Sequence, residues 1–116
     1  MILTNAQMMA SMRILAKAEE KGALGLAIAR NRQKLAQELQ EYSAKYDELL
    51  KKHGTEVEPG CFSITAETFP AFNEELRPYA EMAADVPVCQ VSEEVFCSGD
   101  LTSSQMITLG WMVREG

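Results

Sequence analysis

The sequence predicts an α+β fold, mostly α: an N-terminal helical hairpin with one long helix, then a small C-terminal lobe of short helices and short strands. Three features carry that expectation. Apolar residues in the first half recur at helical spacing over an unusually long run. The second half is cut into short apolar stretches by Pro59, Pro70, Pro78 and Pro87. Two near-identical hexapeptides, LTNAQM at 3–8 and LTSSQM at 101–106, each carry the Thr-x-x-Gln spacing of a capping box. There the hydroxyl accepts from the backbone N–H three residues on, and the Gln carbonyl accepts from the cap's own N–H.

Thr4 therefore opens a first helix over 5–20, with Met8, Met12 and Leu15 as its apolar stripe. The stretch KGALG (21–25) marks the bend of the hairpin. Ile28, Leu35, Leu39, Tyr42, Tyr46 and Leu49 then form a heptad-like seam on a second helix over 27–53, and Gly54 is placed to end it in the left-handed conformation. At 1.5 Å per residue such a helix is roughly 40 Å long. That is more than one small subunit is expected to cover. Helix one folded back hides about half of it, and the Tyr42–Tyr46–Leu49 end is left for the C-terminal region or another subunit. The seam is assigned to an interface between copies.

Beyond Gly54, TEVEPG reads as a loop with a Pro59-Gly60 turn, and residues 61–64 as a short strand. Phe69, Phe72, Leu76 and Tyr79 predict a short helix capped by Thr65 or Thr68. Pro70 falls in its first turn, and Pro78 kinks or ends it near Arg77. Residues 83–92 read as extended, an edge strand at best because of Pro87. SEEVFCSGD fits either a helical turn or a bent connection. Thr102 opens a last helix with Met106, Leu109 and Val113 on its stripe.

At 116 residues the chain is expected to be one domain, a hairpin over 1–54 and a mixed lobe over 55–116. With 47% hydrophobic and 24% charged residues it belongs with globular rather than disordered chains. The net charge of −6 divides as +3 over 1–52 and −9 over 53–116, which disfavours nucleic acid as a partner. Cys61, Cys89 and Cys97 are odd in number and contain no C-x-x-C pair, so a reducing compartment is expected. With no signal-peptide pattern and no long apolar run, the expectation is a cytoplasmic protein of a bacterial cell, without membrane contact.

Few residues suggest chemistry. His53, at a helix end beside Lys51 and Lys52, suits the helix dipole. His53, Cys61, Cys89 and Cys97 are spaced 8, 28 and 8 apart, unlike the close pairs of structural zinc sites. Glu19-Glu20, Glu74-Glu75 and Glu93-Glu94 are adjacent pairs that diverge by roughly 100° on a helix. The expectation is therefore no catalytic residue, no metal and no cofactor. The best ligand candidates are Arg30, Arg32 and Lys34. Arg32 is placed in the seam between Ile28 and Leu35, to be paired with an acidic group of the second half, extended to solvent or used on an anion.

The order of the segments MILTNAQ, ARNRQKLAQELQEYSAKYDELLKKHG, FNEEL, VPVCQV and LTSSQMITLGWMV resembles small uncharacterised proteins encoded by phages and prophages of Firmicute bacteria. The resemblance implies a phage setting. Joined to the seam, it points to a non-enzymatic, homo-oligomeric binding protein, with host proteins or an anionic small molecule such as a nucleotide as further partners. Counter-defence is the more specific version; a tail or neck accessory of the virion and a nucleic-acid-binding regulator are the alternatives. The nucleotide version predicts a raised melting temperature with cyclic or ADP-ribose nucleotides in a thermal-shift panel. No shift with any of them removes it.

Overall fold

A computed structural model describes residues 1–114. Its elements are β1 (Ile2–Thr4), α1 (Asn5–Leu15), α2 (Gly22–Glu38), α3 (Gln40–His53), β2 (Thr55–Glu58), β3 (Cys61–Ser63), α4 (Phe69–Ala80), β4 (Ala83–Asp85), α5 (Glu93–Cys97) and α6 (Ser103–Thr108). A 3-10 turn follows at Gly110–Met112. The fold is α+β and mostly α, as the sequence predicts, with a few short antiparallel strands. β1 pairs with β4, and β2 with β3, in two separate two-stranded sheets.

Both capping boxes form. Gln7 N donates to Thr4 Oγ1 at 3.1 Å while Thr4 N donates to Gln7 Oε1 at 2.8 Å. Thr102 and Gln105 repeat the exchange at 3.3 and 2.9 Å. α1 buries Met8, Ser11 and Leu15, and stops at Leu15 rather than reaching residue 20. Its buried serine is satisfied from the far end of the chain, because Trp111 Nε1 donates to Ser11 Oγ at 2.9 Å. The residues after the helix serve a different contact, in which Glu20 Oε1 accepts from Asp100 N at 2.8 Å and holds the α5–α6 connection.

The long helix is corrected in two ways. It starts earlier, at Gly22, and it is interrupted at Leu39, whose φ of −86° and ψ of −2° lie in the bridge region between helix and strand. No proline or glycine marks the interruption. What differs is the partner of each half: α2 packs on α1 and α5, α3 on α4 and β3. A small change of axis at Leu39 lets both halves keep their apolar faces inward. The second correction concerns the seam. Ile28, Leu35, Leu39, Tyr42 and Leu49 are buried by the chain's own elements, and Tyr46 is half-buried against them. Their assignment to an interface between copies is therefore withdrawn. The two helices still form a spine, which sets a long axis of 45 Å against 28 and 23 Å across.

Gly54 is not left-handed. Its φ is −83°, and the residue is glycine because a Cβ there would lie 2.4 Å from Leu50 O and 3.1 Å from Phe62 Cβ. The TEVE stretch, expected as loop, is instead the first strand of a hairpin with β3. The order of Pro59 then Gly60, the latter at φ +80°, is what a type II turn requires. Pro78 does not end α4, which runs on to Ala80. The missing donor and the crowding of the proline ring against the carbonyl one turn back cost about 3 kcal/mol. Burying Phe72 and Leu76, worth about 1.5–3 kcal/mol each, outweighs it. In the last helix the expected stripe packs inward, with Leu109 buried and Met106 and Val113 half-buried against the core; beside it Met112 is buried and Ile107 exposed.

The segment after β4 is extended without belonging to a sheet. Val86 is buried, Val88 N donates to Val86 O at 2.8 Å, and Val91 makes a parallel bridge to Val113. Asn31, wholly buried in α2, pins this segment from the other side. Its Nδ2 donates to Cys89 O at 2.8 Å and its Oδ1 accepts from Cys89 N at 2.6 Å. One amide thus satisfies both backbone groups of a residue that no strand pairs.

Replacing Asn31 with Leu, a side chain of similar volume, leaves the Cys89 N–H and C=O without partners. The expected loss is about 2–4 kcal/mol of unfolding free energy, read from urea denaturation. An unchanged midpoint would contradict the clamp.

Candidate functional site

The expected ligand residues do not converge. Arg30 is exposed and Arg32 is half-buried. Neither makes a hydrogen bond or ion pair among the described residues, so the acidic partner expected for Arg32 is not seen there. Lys34 is engaged elsewhere, donating from Nζ to Pro87 O. Arg30 and Lys34 share a face of α2, while Arg32 projects roughly 200° away from Arg30. The seam position is held instead by Asn31, three residues after Ile28 and four before Leu35. That spacing was available in the sequence, which also offered Arg32 at four after Ile28.

A concave feature lies elsewhere. A cleft of about 420 Å³ opens between the α2–α3 interruption and the end of α4 with β4. The helical spine supplies Glu38, Glu41, Tyr42 and Lys45; the opposite wall is Tyr79, Met82, Ala83 and Ala84, with Asn5 at one end. α1 fixes that wall. Asn5 Nδ2 donates to Tyr79 O at 2.8 Å, and Asn5 N donates to Met82 O at 2.9 Å. The Asn5 side chain thereby gives a second donor to a carbonyl in the last turn of α4, which Met82 N also reaches at 3.3 Å.

Lys45 crosses the cleft. Its Nζ lies 5.1 Å from the centre of the Tyr79 ring and 3.5 Å from Glu48 Oε2. The negative charge of Glu48 first, and Tyr79 second, raise its pKa above the ordinary lysine value. Lys45 is thus held as a cation. Tyr42, at the cleft floor, has its phenol pushed up by burial, then by Tyr46. Tyr42 begins an aromatic row that continues to Tyr46 at 6.3 Å and from Tyr46 to Phe72 at 5.4 Å, edge to face. This row locks α3 onto α4 and keeps the two walls apart. Met82 is 60% exposed and Tyr79 is 37% exposed, so the outer wall offers an apolar rim. The lining residues include no histidine, cysteine, serine or threonine. With carboxylates on one wall and apolar side chains on the other, the cleft suits an amphipathic guest.

A second polar group sits where α3 meets α4. Lys52 Nζ is 2.9 and 3.1 Å from the two oxygens of Glu75. His53 Nε2 is 3.3 Å from Glu75 Oε1, within ion-pair distance but outside hydrogen-bond geometry, and its ring stands edge-on to Phe72. His53 thus touches a carboxylate and an aromatic ring as well as standing at the helix end. Among the described residues no three His, Cys, Asp or Glu side chains converge. No helix among them is long and apolar enough to cross a membrane.

The chain matches no protein-family model, no curated protein and no solved structure. Of the cleft residues, the sequence marked Tyr42 as part of the seam and Tyr79 as part of a helical stripe, and nothing in it singled out Glu38, Glu41 or Lys45.

The hydrogen bond from Lys52 lowers the pKa of Glu75 below its ordinary value. A carboxylate with a folded pKa below its unfolded one stabilises the fold fully above the unfolded value. That contribution is lost as the pH falls through the folded one. Glu75→Gln is therefore expected to flatten the acid limb of the stability curve below about pH 4.3. Urea midpoints between neutral and acid pH, compared for the two proteins, check this. Parallel curves contradict it.

Proposed function

We propose that this chain is a non-enzymatic binding protein, of phage or prophage setting, that acts by occupying a host protein at the cleft beside β4. The observation that carries the reading is the cleft itself: about 420 Å³, with an exposed apolar rim at Met82 and Tyr79 facing the carboxylates of Glu38 and Glu41. That volume falls within the usual range of recognition pockets, and its mixture of a large apolar share and few polar groups is what such pockets show. Lys45, kept charged by Glu48, is a poor nucleophile and a good electrostatic guide. Binding by contact is the activity these groups support.

The phage setting rests on the order of the sequence segments. The nucleotide version loses support because Arg30, Arg32 and Lys34 do not meet. Self-association through the helical seam loses it because that seam is spent on the chain's own core. A partner is better sought where apolar surface is still open.

A photo-activated cross-linking residue placed at Met82 is expected to give discrete adducts in lysate of the bacterial host. A Tyr79→Ala change in the same protein should reduce them several-fold, and the same cross-linker at exposed Glu67 should not reproduce them. Equal adducts at both positions, or none at Met82, overturn the cleft as the working surface.

A further inference from the structure

Building on the cleft reading, we propose that the occupant is an extended peptide segment carrying a lysine or arginine, added as a third strand to the free edge of β4. The pairing register identifies that edge. β1 and β4 align Ile2 with Asp85, Leu3 with Ala84 and Thr4 with Ala83. Asn5 N donates to Met82 O, and Val86 N donates to Met1 O. In an antiparallel pair, residues that exchange hydrogen bonds alternate with residues that do not. The exchanging residues of β4 are therefore Met82, Ala84 and Val86, all turned toward β1. Ala83 and Asp85 turn their N–H and C=O groups the other way, where the sheet has no further strand.

The direction in which this edge looks follows from its continuation. The chain bends at Pro87, where Val88 N donates to Val86 O, and the Pro87 carbonyl accepts from Lys34 of α2, so the continuation of β4 runs against the spine. Glu38 and Glu41, about one and two turns further along the spine, line the cleft opposite Ala83 and Ala84. The cleft is thus the gap between the free edge of β4 and the helical spine. A three-residue strand, about 10 Å long, about 4.8 Å from its neighbour and in a layer about 10 Å thick, needs roughly 480 Å³. The gap of about 420 Å³ is of that size. Pro87 has no N–H to offer, so the added pairing ends at Asp85 and its register is set.

Charge selects the guest. Glu38 and Glu41 make no ion pair among the described residues, whereas the one cation of the cleft, Lys45, is matched by Glu48. A basic side chain of the guest strand would supply the missing partner. Main-chain pairing would give affinity and the carboxylates selectivity, the usual division in strand addition. The opposite edge is a weaker candidate. On β1 the Thr4 N–H is already taken by Gln7, and the groove beside Ile2 and Ile107 is apolar with nothing to say what covers it.

The test uses the full chain, labelled for amide NMR, and three blocked eight-residue peptides of alternating Thr and Val that differ only in a central Arg, Gln or Glu. The Arg peptide is expected to shift the amides of Ala83 and Asp85 and slow their exchange. It should bind about ten-fold more tightly than the Glu peptide, as two exposed ion pairs allow. Glu38→Gln with Glu41→Gln, both exposed positions, should remove that preference. Methylating alternate peptide nitrogens should abolish binding. Equal binding of all three peptides with shifts at Ala83 and Asp85 overturns the basic guest and leaves the cleft reading standing. Absence of any shift at those two amides, or shifts centred on Ile2 and Ile107, overturns the strand addition, while cross-linking at Met82 judges the cleft separately.

Discussion

The fold depends on a single buried amide. Asn31 sits in the packed face of α2, between Ile28 and Leu35, and gives both ends of its side chain to the backbone of Cys89. Without it, the extended segment between β4 and α5 would bring an unpaired N–H and C=O against apolar side chains, the most expensive arrangement available to a backbone. With it, the segment lies along the helix as if α2 were its neighbouring strand. The C-terminal lobe is thereby fastened to the hairpin. Val91 can then bridge Val113, and Trp111 can reach Ser11.

The same constraint shapes the spine. α2 is committed to the C-terminal lobe through Asn31, Lys34 and its contacts with α5. α3 is committed to α4 through the aromatic row of Tyr42, Tyr46 and Phe72 and through Glu75 with Lys52. Two halves with different obligations meet at Leu39, where the helix gives way. The cleft opens beside that point, with β4 held to β1 and Glu38, Glu41 and Lys45 of the spine lining it opposite Ala83 and Ala84. The cavity is a consequence of how the two halves are held, not of any local motif.

How an elongated chain manages its apolar surface also follows. A seam long enough to suggest a coiled coil is consumed by α1, α4, α5 and the extended segment, while Met1, Ile2, Leu26, Val57, Phe69, Tyr79, Met82 and Ile107 stay open among the described residues. Scattered exposed residues need no partner. Met82 and Tyr79 differ from the others in bordering a concave space with carboxylates across it, and that combination carries the functional reading.

Several elements were legible from sequence because their physics is local. The two capping boxes, Pro70 in the first turn of α4 and the Pro59-Gly60 turn depend on atoms a few residues apart, so spacing alone predicts them. The α-rich class followed from apolar periodicity. The seam's partner was not legible, since periodicity states that a face is buried but not what covers it. Nor was the choice between Asn31 and Arg32, because three and four residues are both helical spacings and only the position of Cys89 separates them. Gly54 shows the same limit: glycine suits a left-handed end and a close approach equally, and the neighbouring hairpin decided for the second. The cleft belongs wholly to tertiary structure, its walls lying some forty residues apart in the chain and its depth set by an interruption that no residue announces.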